Sequence, residues 1–236
     1  MPGTNAWFLE GQIFHDWRAG NSKALWLHGG MGCGKTWLST IVDEKLRHEL
    51  NPKNLIANCY FSNAPATTDA RAVICSLLSQ LGMYRKVHPA LHALCDKLKE
   101  TPSVVTPTTQ QLQDTLLKVL EPDGAGGTTF ILVDALDEIP YQGNRAGIPK
   151  LLNSLASSHH TSLRILMTSR PDGDLLRSFG GTQPGWRVFP IPADKLQADV
   201  ELYVRAAVEE LALECGINEN AQKRLIARLA GPGQTM

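Results

Sequence analysis

An α/β fold, with helices packed on both faces of a parallel sheet, is predicted by three observations. The run Ala24-Leu25-Trp26-Leu27-His28 reads as a short buried strand, and it leads straight into Gly29-Gly30-Met31-Gly32-Cys33-Gly34-Lys35-Thr36. Leu38, Ile41, Val42, Leu46 and Leu50 then recur at helical spacing, so strand, glycine loop and helix follow one another. Further on, Thr129-Phe130-Ile131-Leu132-Val133 runs apolar without a break up to Asp134, as in a strand buried on both faces.

The remaining elements follow in order. The opening stretch from Trp7 to Trp17 is rich in aromatics, and Trp7, Phe14 and Trp17 fit one helical face. It reads as packing on the domain edge or, alternatively, as a segment lying near the base or ribose of a bound nucleotide. After the helix that starts at the glycine loop, Asn51-Pro52 is a stop. Leu55 to Phe61 is a second strand, and Ser62 to Thr68 a polar loop. Val73, Ile74, Leu77, Leu78 and Leu81 form a helical stripe with Gly82 as its expected C-terminal cap. A helix from about His88 carries Leu91, Leu94, Cys95 and Leu98, and His88, His92 and Cys95 read as its polar edge rather than as a metal site. Thr101 to Thr109 is a link, Leu112 to Leu120 a helix, and residues 121–127 a loop.

Past Asp134, a helix carries Ile148, Leu151, Leu152 and Leu155, and His159-His160 is a loop with solvated histidines. Arg164 to Met167 is a strand ending in Thr168-Ser169-Arg170-Pro171, and Trp186 to Ile191 is the last strand. A long helix begins at Asp194 with Gln197 placed as in a capping box. Its expected core face is Leu196, Val200, Tyr203, Val204, Ala207, Val208 and Leu211, and a last helix carries Leu225, Ile226 and Leu229.

The bulk numbers exclude several classes. The 236 residues suit one large domain, or one with a small appendage. Lys plus Arg and Asp plus Glu both total 23, so the net charge is zero and leaves no footprint for nucleic acid or an anionic membrane. No apolar run is long enough to span a bilayer, and Met1-Pro2-Gly3-Thr4-Asn5 does not open a signal peptide. The five cysteines (Cys33, Cys59, Cys75, Cys95, Cys215) are scattered and read as reduced thiols, mostly in the core, of a cytoplasmic protein.

The chemistry is carried by Gly29 to Thr36, which fits G-x-x-x-x-G-K-[ST]. Glycines let successive backbone N–H groups converge on phosphate oxygens, and the following helix, opening Lys35-Thr36-Trp37, adds the positive end of its dipole. Lys35 is placed for the β- and γ-phosphates and the Thr36 hydroxyl for Mg²⁺. Asp134, at the end of its strand, is the second Mg²⁺ ligand, and Asp137 or Glu138 orients or deprotonates the attacking water. An acidic turn after a core strand is the competing reading.

The runs GGMGCGKT, FILVDALDE and RILMTSRP, in this order, resemble NACHT-domain NTPases of the signal-transducing STAND branch of P-loop proteins. With the upstream WFLEGQIFHDW the resemblance, over roughly residues 4–215, is greatest to fungal NOD-like receptor proteins. It implies a three-layer α/β/α sandwich with a five-stranded sheet of order 5-1-4-3-2. In that sheet the strand ending at Arg170 lies between the two motif strands. Arg170 then faces the γ-phosphate, unless it is simply a surface arginine at a turn.

The resemblance also implies a cytoplasmic switch in innate immunity or incompatibility, closed with ADP or GDP, open with ATP or GTP and Mg²⁺, and self-associating through the NTPase domain. Residues 1–22 are then a helical lead-in, 23–215 the NTPase domain and 216–236 the start of a C-terminal helical region. The usual effector, winged-helix and repeat regions are not in the sequence, which implies an excised domain or a truncated member. Two other functions compete: a turnover ATPase or kinase, and a nucleotide-bound scaffold without turnover. A kinase needs an acceptor pocket and an arginine-rich lid that the sequence does not offer, and intact Lys35, Thr36 and Asp134 argue against a scaffold that has lost its nucleotide. No N-K-x-D stretch is present, which tilts the base from guanine towards adenine.

Overall fold

The computed structural model describes residues 4–49, 51, 53–62, 69–83, 88–99, 106–121, 127–139, 147–181 and 183–231. The expected loops at 63–68, 101–105 and 122–126, and the residues Leu50, Pro52 and 232–236, lie outside them. In chain order the strands are β1 (Ala24–His28), β2 (Leu55–Tyr60), β3 (Thr129–Asp134), β4 (Leu163–Ser169) and β5 (Trp186–Pro190). They pair in parallel in the order β2-β3-β4-β1-β5, the expected order read from the other edge. The helices are α1 (Ala6–Leu9), α2 (Gln12–Ala19), α3 (Lys35–His48), α4 (Ala70–Met83) and α5 (Pro89–Lys99), then α6 (Thr109–Val119), α7 (Gly147–Ser157), α8 (Gly173–Phe179), α9 (Ala193–Cys215) and α10 (Glu219–Leu229).

Side chains alternate across each strand and supply two cores. On one face Leu25, Leu27, Phe130, Leu132 and Leu166 meet Phe8, Phe14 and Trp17 of the lead-in and Leu38, Val42 and Leu46 of α3. On the other, Trp26, Ile131, Val133, Ile165 and Met167 meet α4, α6, α7 and α8. The result is the three-layer α/β/α sandwich that the resemblance implies. Every residue of β3 and β4 is buried, as the apolar runs Phe130 to Val133 and Ile165 to Met167 require. The edge strand β5 is half exposed and ends on Pro190, a residue that only an edge tolerates. The other edge, β2, is blunted by Gln80 of α4, whose amide accepts the N–H of Asn58 and donates to its carbonyl, both at 2.8 Å. No described helix is long and apolar enough to cross a membrane.

Several elements differ from expectation. The lead-in is two helices rather than one, because the chain turns at Gly11, where a Cβ would stand 2.7 Å from the Trp7 carbonyl oxygen. Gly82 lies inside α4, which continues to Met83, and so is not its cap. The capping box expected at Asp194 and Gln197 does not form: Pro192 is the N-cap, and the Gln197 amide donates to the Ala230 carbonyl, tying α9 to the end of α10. The capping box that does form is Thr108–Gln111, at the start of α6. His160 is buried rather than solvated, packs against His159 at 4.5 Å between ring centres, and has its pKa lowered by that burial. His88 accepts the Ala90 N–H at 3.2 Å and so serves the start of α5. The expected core face of α9 is only partly buried: Val208 is buried, Leu196, Val200, Val204 and Ala207 are half-buried, and Tyr203 and Leu211 are exposed.

Cysteines also depart from the expected core placement, since Cys75, Cys95 and Cys215 are exposed and Cys59 is buried. Burial pushes the Cys59 thiol up to about 12. Brief alkylation of the native protein at mildly alkaline pH is therefore expected to label Cys75, Cys95 and Cys215 and to spare Cys59, read by peptide mass spectrometry. Equal labelling of Cys59 without denaturant would contradict its burial in β2.

Candidate functional site

The site is assembled at the carboxyl edge of the sheet. β1 lies between β4 and β5 and delivers the chain into the glycine loop, after which α3 begins at Lys35. Gly32 and Gly34 adopt φ of 74° and 72°, the left-handed region that glycine enters without a Cβ penalty. These two turns curl the loop over the start of α3. No side chain caps that helix, so its first N–H groups and its dipole face the loop's concavity. The Lys35 ammonium bends back and donates to the carbonyls of Gly29 at 3.0 Å and Gly30 at 2.7 Å, with the Cys33 sulfur 3.6 Å away. His28, at the entrance, has its pKa lowered by burial and is neutral at pH 7.

The acidic turn is locked to the end of β4 by Thr168 and Arg170, and Ser169 between them ties β4 to β1. The Thr168 hydroxyl donates to Asp134 Oδ1 at 2.5 Å and accepts the Ala135 N–H at 3.1 Å. Ser169 Oγ accepts the Trp26 indole N–H at 2.8 Å. Arg170 donates its backbone N–H to Asp137 Oδ1 at 2.9 Å and its Nε to Oδ2 at 2.7 Å. Asp137 is nearly buried, and this bonding raises the Arg170 pKa. Ala135 takes φ 56°, unusual for a residue with a Cβ, and so turns the chain sharply into the 3-10 turn Leu136–Glu138.

Two cavities meet at the loop. One, of about 360 Å³, is lined by Lys35, Thr36, Ala135, Asp137, Glu138 and Arg170 with residues 31–34 and Trp37. The other, of about 350 Å³, has an apolar wall of Trp7, Trp37, Leu38, Ile191, Leu196, Val200 and Tyr203, edged by Thr4, Asn5 and Asp199. They share Gly32, Cys33, Gly34 and Trp37. The first offers a cation, backbone N–H groups and carboxylates, and the second offers aromatic faces.

Of the residues expected at the site, the structure brings together Gly29, Gly30, Met31, Gly32, Cys33, Gly34, Lys35, Thr36 and Trp37 with Asp137, Glu138 and Arg170. Asp134 stands apart, only 2% exposed and bonded by Thr168, and it is not on the wall of the polar cavity. The two readings of the opening stretch divide between residues: Phe8, Phe14 and Trp17 are core, whereas Trp7 faces the apolar cavity. The expected core residues Leu196, Val200 and Tyr203 line that cavity instead. Thr168 and Asp199 were not foreseen; the Thr-Ser-Arg end of β4 carried a signal for the first, and nothing local did for the second. The Thr36 hydroxyl and the Glu138 carboxylate on the cavity wall are oxygens of the type that a hard cation such as Mg²⁺ prefers, and the Asp134 carboxylate is off that wall. No group of three or more metal-ligating side chains exists among the described residues, so such a cation would need phosphate oxygens as well.

The family model described as nephrocystin 3, N-terminal, matches residues 3–170, well over half of the chain. This chain belongs to the nephrocystin 3 N-terminal family. The matched span of that family takes in Asn5, Trp7, the glycine loop and the acidic turn, and ends on Arg170; α9 lies beyond it. No curated protein matches the chain. Among solved structures, the chain is similar to a Walker-type ATPase of Pyrococcus abyssi, at 15% identity and a TM-score of 0.47 over 90% of this chain and 60% of that one. It is also similar to the ORC2 protein of Aeropyrum pernix, solved as ADPNP–ADP complexes, at 12% identity and a TM-score of 0.49 over 96% of this chain and 68% of that one.

Proposed function

We propose that this nephrocystin 3 N-terminal family member binds a nucleoside triphosphate across its glycine loop and hydrolyses it slowly, as a regulatory switch. The observation that carries the reading is the pair of cavities joined at Gly32, Cys33 and Gly34: a polar one for the phosphates and an apolar one for the base and ribose. In this reading Lys35 exchanges its two carbonyl partners for β- and γ-phosphate oxygens, and the loop N–H groups hold the rest of the chain of phosphates. Thr36, with the phosphates, would hold Mg²⁺, which supplies charge neutralisation, and Asp134, off the cavity wall, would reach it through water. Asp137 has both oxygens committed to Arg170, so Glu138 is the residue left to orient the attacking water. Arg170 retains its terminal amino groups for the γ-phosphate, and the Asp137 carboxylate fixes their direction.

The switch itself rests on the NACHT-like pattern of the three motif strands, including the signalling role and self-association that this pattern implies in fungal NOD-like receptors. The base remains adenine or guanine in this reading. Glu138→Gln is expected to keep nucleotide affinity and slow single-turnover hydrolysis by about 10²–10⁴-fold, whereas Asp137→Asn is expected to blunt the preference for triphosphate over diphosphate. Unaltered turnover in Glu138→Gln would place the base elsewhere. The experiment that tests the switch is the identity of nucleotide released on denaturing freshly purified protein, read by ion-exchange chromatography. Stoichiometric ADP or GDP supports a switch that holds its product; an empty site that turns over added ATP rapidly contradicts it.

A further inference from the structure

We infer that Asp199 is a positioning residue that closes the nucleoside end of this site; the inference rests on the nucleotide reading above. Asp199, in α9, accepts the Asn5 backbone N–H at Oδ1 and the Trp7 indole N–H at Oδ2, both at 2.9 Å. These partners lie 194 and 192 residues away in sequence, and all three residues line the apolar cavity. The other side of the same segment is held by α3, whose Trp37 indole N–H donates to Thr4 Oγ1 at 3.4 Å. Residues 4–7 are thus a strap across the cavity, gripped by α3 on one side and by one carboxylate of α9 on the other.

The strap turns through a left-handed residue. Asn5 takes φ 58°, a conformation that asparagine enters more readily than most residues with a Cβ. The carboxylate that bonds its N–H is what α9 contributes to holding it there. Outside this cavity α9 packs on α10, its fully buried residues are Val208 and Ala212, and Tyr203 is 54% exposed. The indole N–H groups of Trp7 and Trp37 are both given to protein acceptors, which leaves the aromatic faces for a base. Asp199 therefore sets affinity for the base and ribose, by fixing Trp7, and leaves the triphosphate end unchanged.

Mg-ATP, Mg-GTP and Mg-tripolyphosphate are titrated into the full chain and into Asp199→Ala, Asp199→Asn and Trp7→Phe, with melting temperatures recorded for each. Trp7→Phe keeps a smaller aromatic face and removes the indole N–H, so it reports on the same contact if Asp199→Ala folds poorly. The expected result is a loss of about tenfold or more in affinity for the preferred nucleotide in Asp199→Ala, with less in Asp199→Asn and Trp7→Phe. Tripolyphosphate affinity stays within about twofold throughout. Equal losses for nucleotide and tripolyphosphate, or no loss for either, overturn the assignment of Asp199 while leaving the nucleotide site standing. Wild-type protein that binds no nucleotide overturns the nucleotide reading itself.

Discussion

Lys35→Ala is expected to weaken Mg-nucleotide binding by roughly 30- to 4,000-fold. The range follows from about 2–5 kcal/mol for removing one partner of a desolvated, hydrogen-bonded charge pair, converted at about 1.4 kcal/mol per decade. The ammonium now rests on the carbonyls of Gly29 and Gly30, on the rim of the cavity that Thr36, Glu138 and Arg170 line. A polyphosphate in that cavity meets one cation from the loop, and alanine removes it. The fold should hardly notice, because Lys35 is not part of either core. Equilibrium dialysis with labelled nucleotide, alongside a melting curve, separates the two effects. An unchanged affinity would mean that the phosphates do not lie over this loop.

Trp17→Ala is expected to cost about 3–5 kcal/mol of stability, a fall of roughly 6–20 °C in melting temperature at 2–4 °C per kcal/mol for a domain of this size. Trp17 is fully buried, packs on Phe14 and Phe130 at ring-centre distances of 5.8 and 5.6 Å, and donates its indole N–H to the Ile165 carbonyl at 2.8 Å. Alanine opens a cavity against the sheet and leaves a buried carbonyl oxygen with one partner fewer. A change below about 1 kcal/mol, within the range of an ordinary surface substitution, would show that the lead-in is not built into the sheet's core.

What was legible in the sequence was whatever a short window determines. β3 and β4 are buried on both faces, so Phe130 to Val133 and Ile165 to Met167 had to be apolar, and the glycine loop had to carry glycine at the left-handed positions Gly32 and Gly34. Their order in the chain, together with the resemblance to P-loop proteins, then gave the sheet. The polar cavity was legible for the same reason: Asp137, Glu138 and Arg170 sit within a few residues of a strand end, and Lys35 and Thr36 open the helix after the glycine loop.

The apolar cavity was not, because its walls come from opposite ends of the chain. Asp199 meets Asn5 and Trp7 across more than 190 residues, and no local pattern marks such a contact. Periodicity also misled at α9. The spacing of Leu196, Tyr203 and Leu211 correctly marks one side of a helix, but periodicity says nothing of what lies opposite. Leu196 and Tyr203 face a cavity and Leu211 is 44% exposed. The short helix α8 was passed over because seven residues complete barely two turns, too few to show a period.

The most direct test is a calorimetric titration of Mg-ATP and Mg-GTP into nucleotide-free protein, repeated with excess tripolyphosphate present. A triphosphate lying across the loop between the two cavities predicts one saturable site per chain for at least one nucleotide, displaced by tripolyphosphate through the shared phosphate contacts. The absence of a saturable site for either nucleotide, or binding that tripolyphosphate leaves untouched, would contradict it.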